Sequence, residues 1–269
     1  MTFSHLVSYF EKIEATSKRL EMFAILADLF KEANADEIDQ VVYLLQGELL
    51  PAFHGINMGM SEKYLLRAIT HAAGVDADTL REQHRILGDI GKTAAYYISS
   101  KKEEADKTVS HVYQAIYQIA VMSGEGSVDR KIEALSALLA SLSAAEAKYA
   151  ARFVVGQLRL GAGDATILEA LALSHGDRAF RASLDRAYNL TSDLGLLAKT
   201  FGHNGEAGVL ATLVRCGYPI RSALCERLPS SEEIIEKIGR CSVEIKYDGF
   251  RCQAHKQGDT VILFSRNQE

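Results

Sequence analysis

The chain has 269 residues, 48% hydrophobic and 24% charged, with a formal net charge of -5 at pH 7. This composition excludes a disordered chain, and the length suits one large domain or two ordinary ones. No stretch reaches the roughly 18 to 20 uninterrupted apolar residues that span a bilayer, and Met1-Thr2-Phe3-Ser4-His5 lacks the basic start of a secretion signal, so no membrane attachment is expected.

From Phe3 to about Cys216 apolar residues recur at helical spacing, as in Met22, Ile25, Leu26, Leu29 and Phe30, or Ile132, Leu135, Leu138, Leu139 and Leu142. The pattern predicts ten to twelve short helices. Asn34-Ala-Asp36-Glu37, Ser61-Glu62, Asp76-Ala-Asp78, Ser127-Val-Asp129 and Ser143-Ala-Ala-Glu146 each place a capping group before an apolar run.

Inside the helical part Lys63-Tyr-Leu-Leu-Arg67 is echoed by Lys148-Tyr-Ala-Ala-Arg152, and Asp89-Ile-Gly91 by Asp193-Leu-Gly195. The two halves therefore read as duplicated, with about nineteen extra residues in the second, expected to include a glycine-bearing turn. The period exceeds the 20 to 50 residues of solenoids, which favours a pseudo-two-fold pair of bundles.

That turn is Leu158-Arg159-Leu160-Gly161-Ala162-Gly163-Asp164, read as helix, tight Gly-x-Gly turn, helix. Without side chains at Gly161 and Gly163 the backbone can approach a phosphate, and the next helix adds its positive end. Arg159 and Arg152 are candidate phosphate contacts, with Lys92 and Lys199 beside the repeated Asp-x-Gly strings, read as turns. Arg178, Arg181 and Arg186 would extend the patch if they shared a face. Local patches must do this, because the acidic excess lies upstream of Tyr218.

Beyond Tyr218-Pro219 the texture changes. Ser242 to His255 and Thr260 to Ser265 read as two strands of a hairpin joined by Lys256-Gln-Gly-Asp259. Cys216, Cys225, Cys241 and Cys252 form no CxxC pair and read as reduced, packed small residues rather than metal ligands, so no metal site is expected. The chain stops after a strand with nothing to cover the hairpin, which reads as a fragment of a longer protein.

The first strand carries Glu244-Ile-Lys246-Tyr-Asp248-Gly249-Phe-Arg251, a Lys-x-Asp-Gly string with an arginine two residues on, and Phe264-Ser-Arg266-Asn267 closes the second. This resembles the covalent nucleotidyltransferase superfamily of DNA ligases, RNA ligases and capping enzymes. The resemblance implies that Lys246 is the nucleophile that takes a nucleotide from a nucleoside triphosphate. Glu244 would sit beside the adenine, Asp248 and Gly249 would shape the turn, and Arg251 and Arg266 would contact phosphate or ribose. A lysine amine, ordinarily protonated near neutral pH, must lose its proton to attack the α-phosphorus.

Upstream, Gly88-Asp-Ile-Gly91, the run Arg152 to Leu171, and Tyr188-Asn-Leu-Thr-Ser-Asp-Leu-Gly195 resemble the helical DNA-binding domain of archaeal and eukaryotic ATP-dependent DNA ligases. At Ala223-Leu224-Cys225 the chain departs from the Met-Leu-Ala usual there. The resemblance implies a mainly α fold: a duplicated helical DNA-binding domain, 1–217, followed by a short antiparallel β segment, 218–269, that begins an incomplete nucleotidyltransferase domain. It implies ATP and Mg²⁺ as cofactors, nicked double-stranded DNA as partner, a sliding clamp as a further one, and a cytoplasmic, nucleoid-associated or nuclear location. Roles in DNA replication, repair and recombination would follow, and the chain alone would bind DNA without ligating. Two alternatives stay open: a non-catalytic DNA-binding or partner-recruiting module, and an RNA ligase or capping-type nucleotidyltransferase.

Overall fold

The computed structural model describes residues 1–98, 107–158, 160–223 and 225–268. Among them stand thirteen α-helices: α1 (Phe3–Glu14), α2 (Arg19–Glu32), α3 (Ile38–Gln46), α4 (Glu62–Ala73), α5 (Ala77–Leu87), α6 (Ile90–Ile98), α7 (Val109–Val121), α8 (Ser127–Ala140), α9 (Ala144–Val154), α10 (Asp164–Ser174), α11 (Arg181–Thr191), α12 (Leu194–Leu210) and α13 (Ser231–Ile238). The first twelve fill the stretch read as helical. The last was not expected; it is capped by Ser230, whose hydroxyl accepts from Glu233 N, and it buries no residue.

Local signals account for several helix starts. Asp76 accepts from the amides of Asp78 and Thr79, both at 3.0 Å, and Ser143 with Glu146 forms a complete capping box. Other expected starts are met differently. Asn34 turns its side chain onto Asp36 N four residues before α3 begins, Ser61 stands at the cap of α4 without a side-chain bond, and α8 begins at Ser127 with Gly126 at its cap and Asp129 in its first turn.

The helices close around one continuous apolar cluster that includes Phe3, Leu6 and Phe10 of α1, Leu26 and Leu29 of α2, Tyr149 of α9 and Phe201 of α12. Burying each such side chain contributes about 1.5 to 3 kcal/mol before entropy is charged against it. α6 lies along α9, α2 along α10, α4 along α8 and α3 along α12.

One junction occurs twice. Asp89 caps α6 through Lys92 N at 2.7 Å and also accepts from Arg152 Nε of α9, at 3.2 and 3.1 Å. Asp193 caps α12 through Leu196 N at 2.8 Å and accepts from the Tyr43 hydroxyl of α3, also at 2.8 Å. Two residues beyond each aspartate comes a helical glycine, Gly91 or Gly195, against which the partner helix packs. The Asp-x-Gly strings are therefore helix starts with contact glycines, not turns.

A second feature also recurs. Gly74 (φ +68°) lies two residues before Asp76, the cap of α5, and Gly161 (φ +70°) lies two residues before Gly163, the cap of α10. The glycine turn thus belongs to both halves. The extra length of the second half falls mainly after it, where α10 and α11 stand in place of α5 alone.

In the C-terminal part β1 (Gln253–Gln257) pairs antiparallel with β2 (Thr260–Phe264), Gln253 opposite Phe264 and Gln257 opposite Thr260, around Gly258 at φ +59°. The strand expected from Ser242 is shorter than the pattern suggested. β2 offers partners only back to Gln253, and residues 241–252 run unpaired and exposed. All four cysteines are exposed and unbridged, contrary to the packed role expected of them; they lie where the apolar cluster does not reach.

Candidate functional site

The Gly161–Gly163 turn is reached through a longer connection than the sequence suggested. α9 ends at Val154 and α10 begins at Asp164, so the intervening segment is not a tight hairpin. Leu160 and Ala162 point into the core, while Gly161 and Gly163 between and after them are exposed. This alternation pins the segment down and leaves its backbone outward. Gly161 sits in the left-handed region that favours glycine, and Gly163 caps α10 without any side-chain bond, with open space where a Cβ would stand. A helix start without a side-chain cap leaves amides for an anion.

The basic residues distribute unevenly. Arg159 lies outside the described residues. The side chain of Arg152 is only 11% exposed and is shared between Asp89 and Glu14. Burial alone would raise the Glu14 carboxyl, but hydrogen bonds from Lys148, Tyr149 and Arg152 outweigh it and bring the group down to about 2. Lys92 is exposed beside Asp89, whereas Lys199 bonds Asp39 at 2.9 Å and the Asp36 carbonyl at 3.3 Å. Arg178 and Arg181 pair with Glu169, and Arg186 reaches the Thr212 carbonyl at 3.4 Å. Arg152 and Lys92 thus meet at Asp89, and Lys199 goes to α3.

Lys246 lies on the exposed ribbon 241–252, with Glu244 and Asp248 at alternate positions and Val243, Ile245 and Tyr247 between them, 91%, 77% and 86% exposed. Gly249 turns the ribbon at φ +153°. Gly249, Arg251 and Arg266 line a cleft of about 640 Å³ against the helical bundle, opposite Gln46, Glu48, Asp164, Tyr188 and Ser192, with Arg221 of the connecting segment also in its lining. Glu244 and Lys246 are not among its lining residues. Burial, with Asp164 nearby, raises the Glu48 carboxyl.

Sequence reasoning missed the connection that closes this cleft. Ser192, itself left-handed at φ 51°, donates from Oγ to the Pro219 carbonyl at 2.5 Å and accepts from Gln268 Nε2 at 2.5 Å. Ile220 N donates to Gln253 Oε1 at 3.0 Å, and Gln253 Nε2 returns a bond to the Ile220 carbonyl. Arg221 N donates to the Asn189 carbonyl at 2.8 Å, and its guanidinium lies over the Tyr188 ring at 4.3 Å. Phe264 is buried against the rings of Phe53 and His255. Only Pro219 hinted at a junction, since a proline after a helical stretch marks a break.

Two family models match this arrangement, the one described as DNA ligase N terminus over residues 2–172 and the one described as ATP dependent DNA ligase domain over residues 222–269. A probable DNA ligase of Dictyoglomus thermophilum is 45% identical over 270 residues, covering 100% of this chain and 46% of the relative. The DNA ligase of Acidianus ambivalens is 40% identical over 284 residues and that of Saccharolobus solfataricus 38% over 283, each covering 100% of this chain and 47% of the relative. The chain spans about half the length of these curated relatives. With α1 to α9 inside one matched region and the Lys-x-Asp-Gly segment inside the other, the chain belongs to the ATP-dependent DNA ligase family.

Proposed function

We propose that a full-length protein carrying this chain, at the length of its relatives, seals nicks between 5′-phosphate and 3′-hydroxyl ends of duplex DNA. The observation that carries the reading is Lys246 in Glu244–Arg251, within a matched ligase segment and joined to a helical bundle with an open glycine turn. In the first step Lys246 Nζ, having lost a proton, attacks the α-phosphorus of ATP; a P–N bond forms, the bond to the β-phosphate bridge breaks, and pyrophosphate leaves. A 5′-phosphate oxygen then displaces the lysine to take the AMP, and the 3′-hydroxyl displaces AMP to close the phosphodiester. Glu244 faces the base, Gly249 and Asp248 shape the turn, and Arg251 with Arg266 meets phosphate or ribose in the cleft they share.

Among the described residues no group of three or more His, Cys, Asp or Glu side chains clusters around a metal position. Mg²⁺ would enter with the triphosphate, where it offsets charge on the departing pyrophosphate. We divide the chain into a DNA-binding domain, 1–217, and the start of an adenylation domain, 218–269. The exposed amides at Gly161 and Gly163 take backbone phosphates, with Arg159 and Lys92 as direct contacts, and Arg152 and Lys199 supporting the helices beside them. This contact carries no base readout, as suits an enzyme indifferent to sequence. We extend the reading to a sliding clamp as a further partner and to the nucleoid or nucleus as the place of action. Among the described residues no helix is long and apolar enough to cross a membrane.

The test is α-labelled ATP supplied to the full-length protein, which is expected to give an acid-labile adduct that Lys246→Ala abolishes. GTP and NAD in parallel lanes are expected to give none. Residues 1–269 alone are expected to bind nicked DNA without sealing it, and full sealing by that piece would overturn the division of labour proposed here.

A further inference from the structure

Asp164 is the first residue of α10, directly after Gly163. A carboxylate in a first turn is favourable for the helix, but here it also stands where the turn would receive a phosphate, and two anions at one helix end repel. Glu48 adds a second acid in the same cleft. Both oxygens of Asp164 are engaged: Oδ1 accepts from Gln46 Nε2 at 3.3 Å, and Oδ2 accepts from the Tyr188 hydroxyl at 2.6 Å and pairs with Arg221 Nη2 at 3.1 Å. Gln46 and Tyr188 bring no charge. Burial first, and then Asp164, raises the Tyr188 hydroxyl, so it stays a neutral donor. Among the described residues Arg221 is the cation paired with Asp164.

Arg221 does not come from the helical bundle. It arrives on the 219–221 connection, which is bonded on one side to Ser192 and Asn189 and on the other to Gln253 of β1. The cation that offsets Asp164 is therefore in place only while that connection is docked.

We propose that Arg221 is a positioning residue for DNA. By neutralising Asp164 it opens the positive end of α10 and the Gly161–Gly163 turn to a backbone phosphate, and so makes DNA affinity depend on how the start of the adenylation segment is seated. This rests on the DNA-binding role proposed for the turn. Detachment of the connection would restore the full negative charge of Asp164 beside the exposed amides and weaken the grip on DNA, coupling release to movement of the nucleotidyltransferase segment.

The experiment uses the full-length protein and a duplex with a single nick, titrated by fluorescence anisotropy at low salt, about 50 mM, where phosphate contacts are least screened. Arg221→Met keeps the apolar stem over Tyr188 and removes the charge; it is expected to raise Kd roughly fivefold, the modest effect of a half-exposed charge. Asp164→Asn in the same protein is expected to restore Kd to within about twofold of wild type, and Asp164→Asn alone to bind at least as tightly as wild type. A purely packing role makes the opposite forecast, because a second lost partner cannot mend the first. Binding by Arg221→Met equal to wild type, a double variant as weak as Arg221→Met, or weaker binding by Asp164→Asn alone would each overturn the inference. Failure of the wild-type protein to bind the nicked duplex would instead sink the DNA-binding reading of the turn.

Discussion

Gly195 lies so close to Tyr43 that a Cβ placed on it would stand 2.3 Å from the ring carbon Cζ, and the same ring sends its hydroxyl to Asp193 two residues earlier. Gly91 repeats the relationship in the first half, where a Cβ would come within 2.6 Å of the Lys148 carbonyl oxygen. Neither neighbour can yield cheaply, since one is a buried ring and the other is backbone. Gly91→Ala and Gly195→Ala are each expected to lower the free energy of unfolding by about 2 to 3 kcal/mol. Urea unfolding with midpoints unchanged from wild type would show that these helix crossings are looser than described.

Acid should draw on the Glu14 network as it destabilises the fold. In the folded chain this carboxyl is held down at about 2, below its ordinary 4.5, so its contribution is fully present above 4.5 and is lost as pH falls from there toward 2. Glu14→Gln is expected to flatten the stability-against-pH curve in that window. Equal slopes for the two proteins between pH 4.5 and 2 would rule out the network as the source.

Gly163→Asp separates folding from binding. The position has extended backbone and open space, and aspartate is a good helix cap, so stability should hold or rise by a few tenths of a kcal/mol. The new carboxylate would occupy the amides proposed for phosphate, and affinity for nicked duplex should fall by about tenfold. A thermal melt and an anisotropy titration on one preparation measure both; undiminished affinity would remove the turn from the interface.

Phe264→Ala should release the hairpin while sparing the bundle. Phe264 is 4% exposed and is the buried anchor of β2 against Phe53 and His255. Truncating a buried phenylalanine costs about 3 to 5 kcal/mol, more than a two-stranded ribbon can spare. Amide exchange is expected to show protection lost across Gln253–Gln257 and kept in α1 to α12. Retained protection in β1 would mean that the bonds of Gln253 and Gln268 suffice to hold it.

Much of the helical bundle was legible because apolar spacing is a local property, and Ser143 with Glu146 carries its own capping geometry within four residues. Asp89-Ile-Gly91 and Asp193-Leu-Gly195 were recognisable as a repeat but not as helix starts. Glycine argues against helix locally, and what makes it necessary is a helix from elsewhere in the chain, Lys148 on α9 or Tyr43 on α3. The same limit hid the partners of Arg152, since Glu14 stands 138 positions away. Lys246 was singled out by its string alone, and nothing in the local pattern foretold that pairing would begin only at Gln253. Arg221 gave no signal: one arginine after a proline looks like any linker until Asp164 is brought beside it.

The ribbon from Cys241 to Cys252 has a practical consequence. It offers free backbone donors and acceptors beside alternating Val243, Ile245 and Tyr247, with Phe250 bare at 106% exposure. Such an edge recruits whatever strand it meets, including its own likeness on another molecule. Purified at high concentration, this chain will tend to form oligomers through that stretch, and a protease will find its first foothold there.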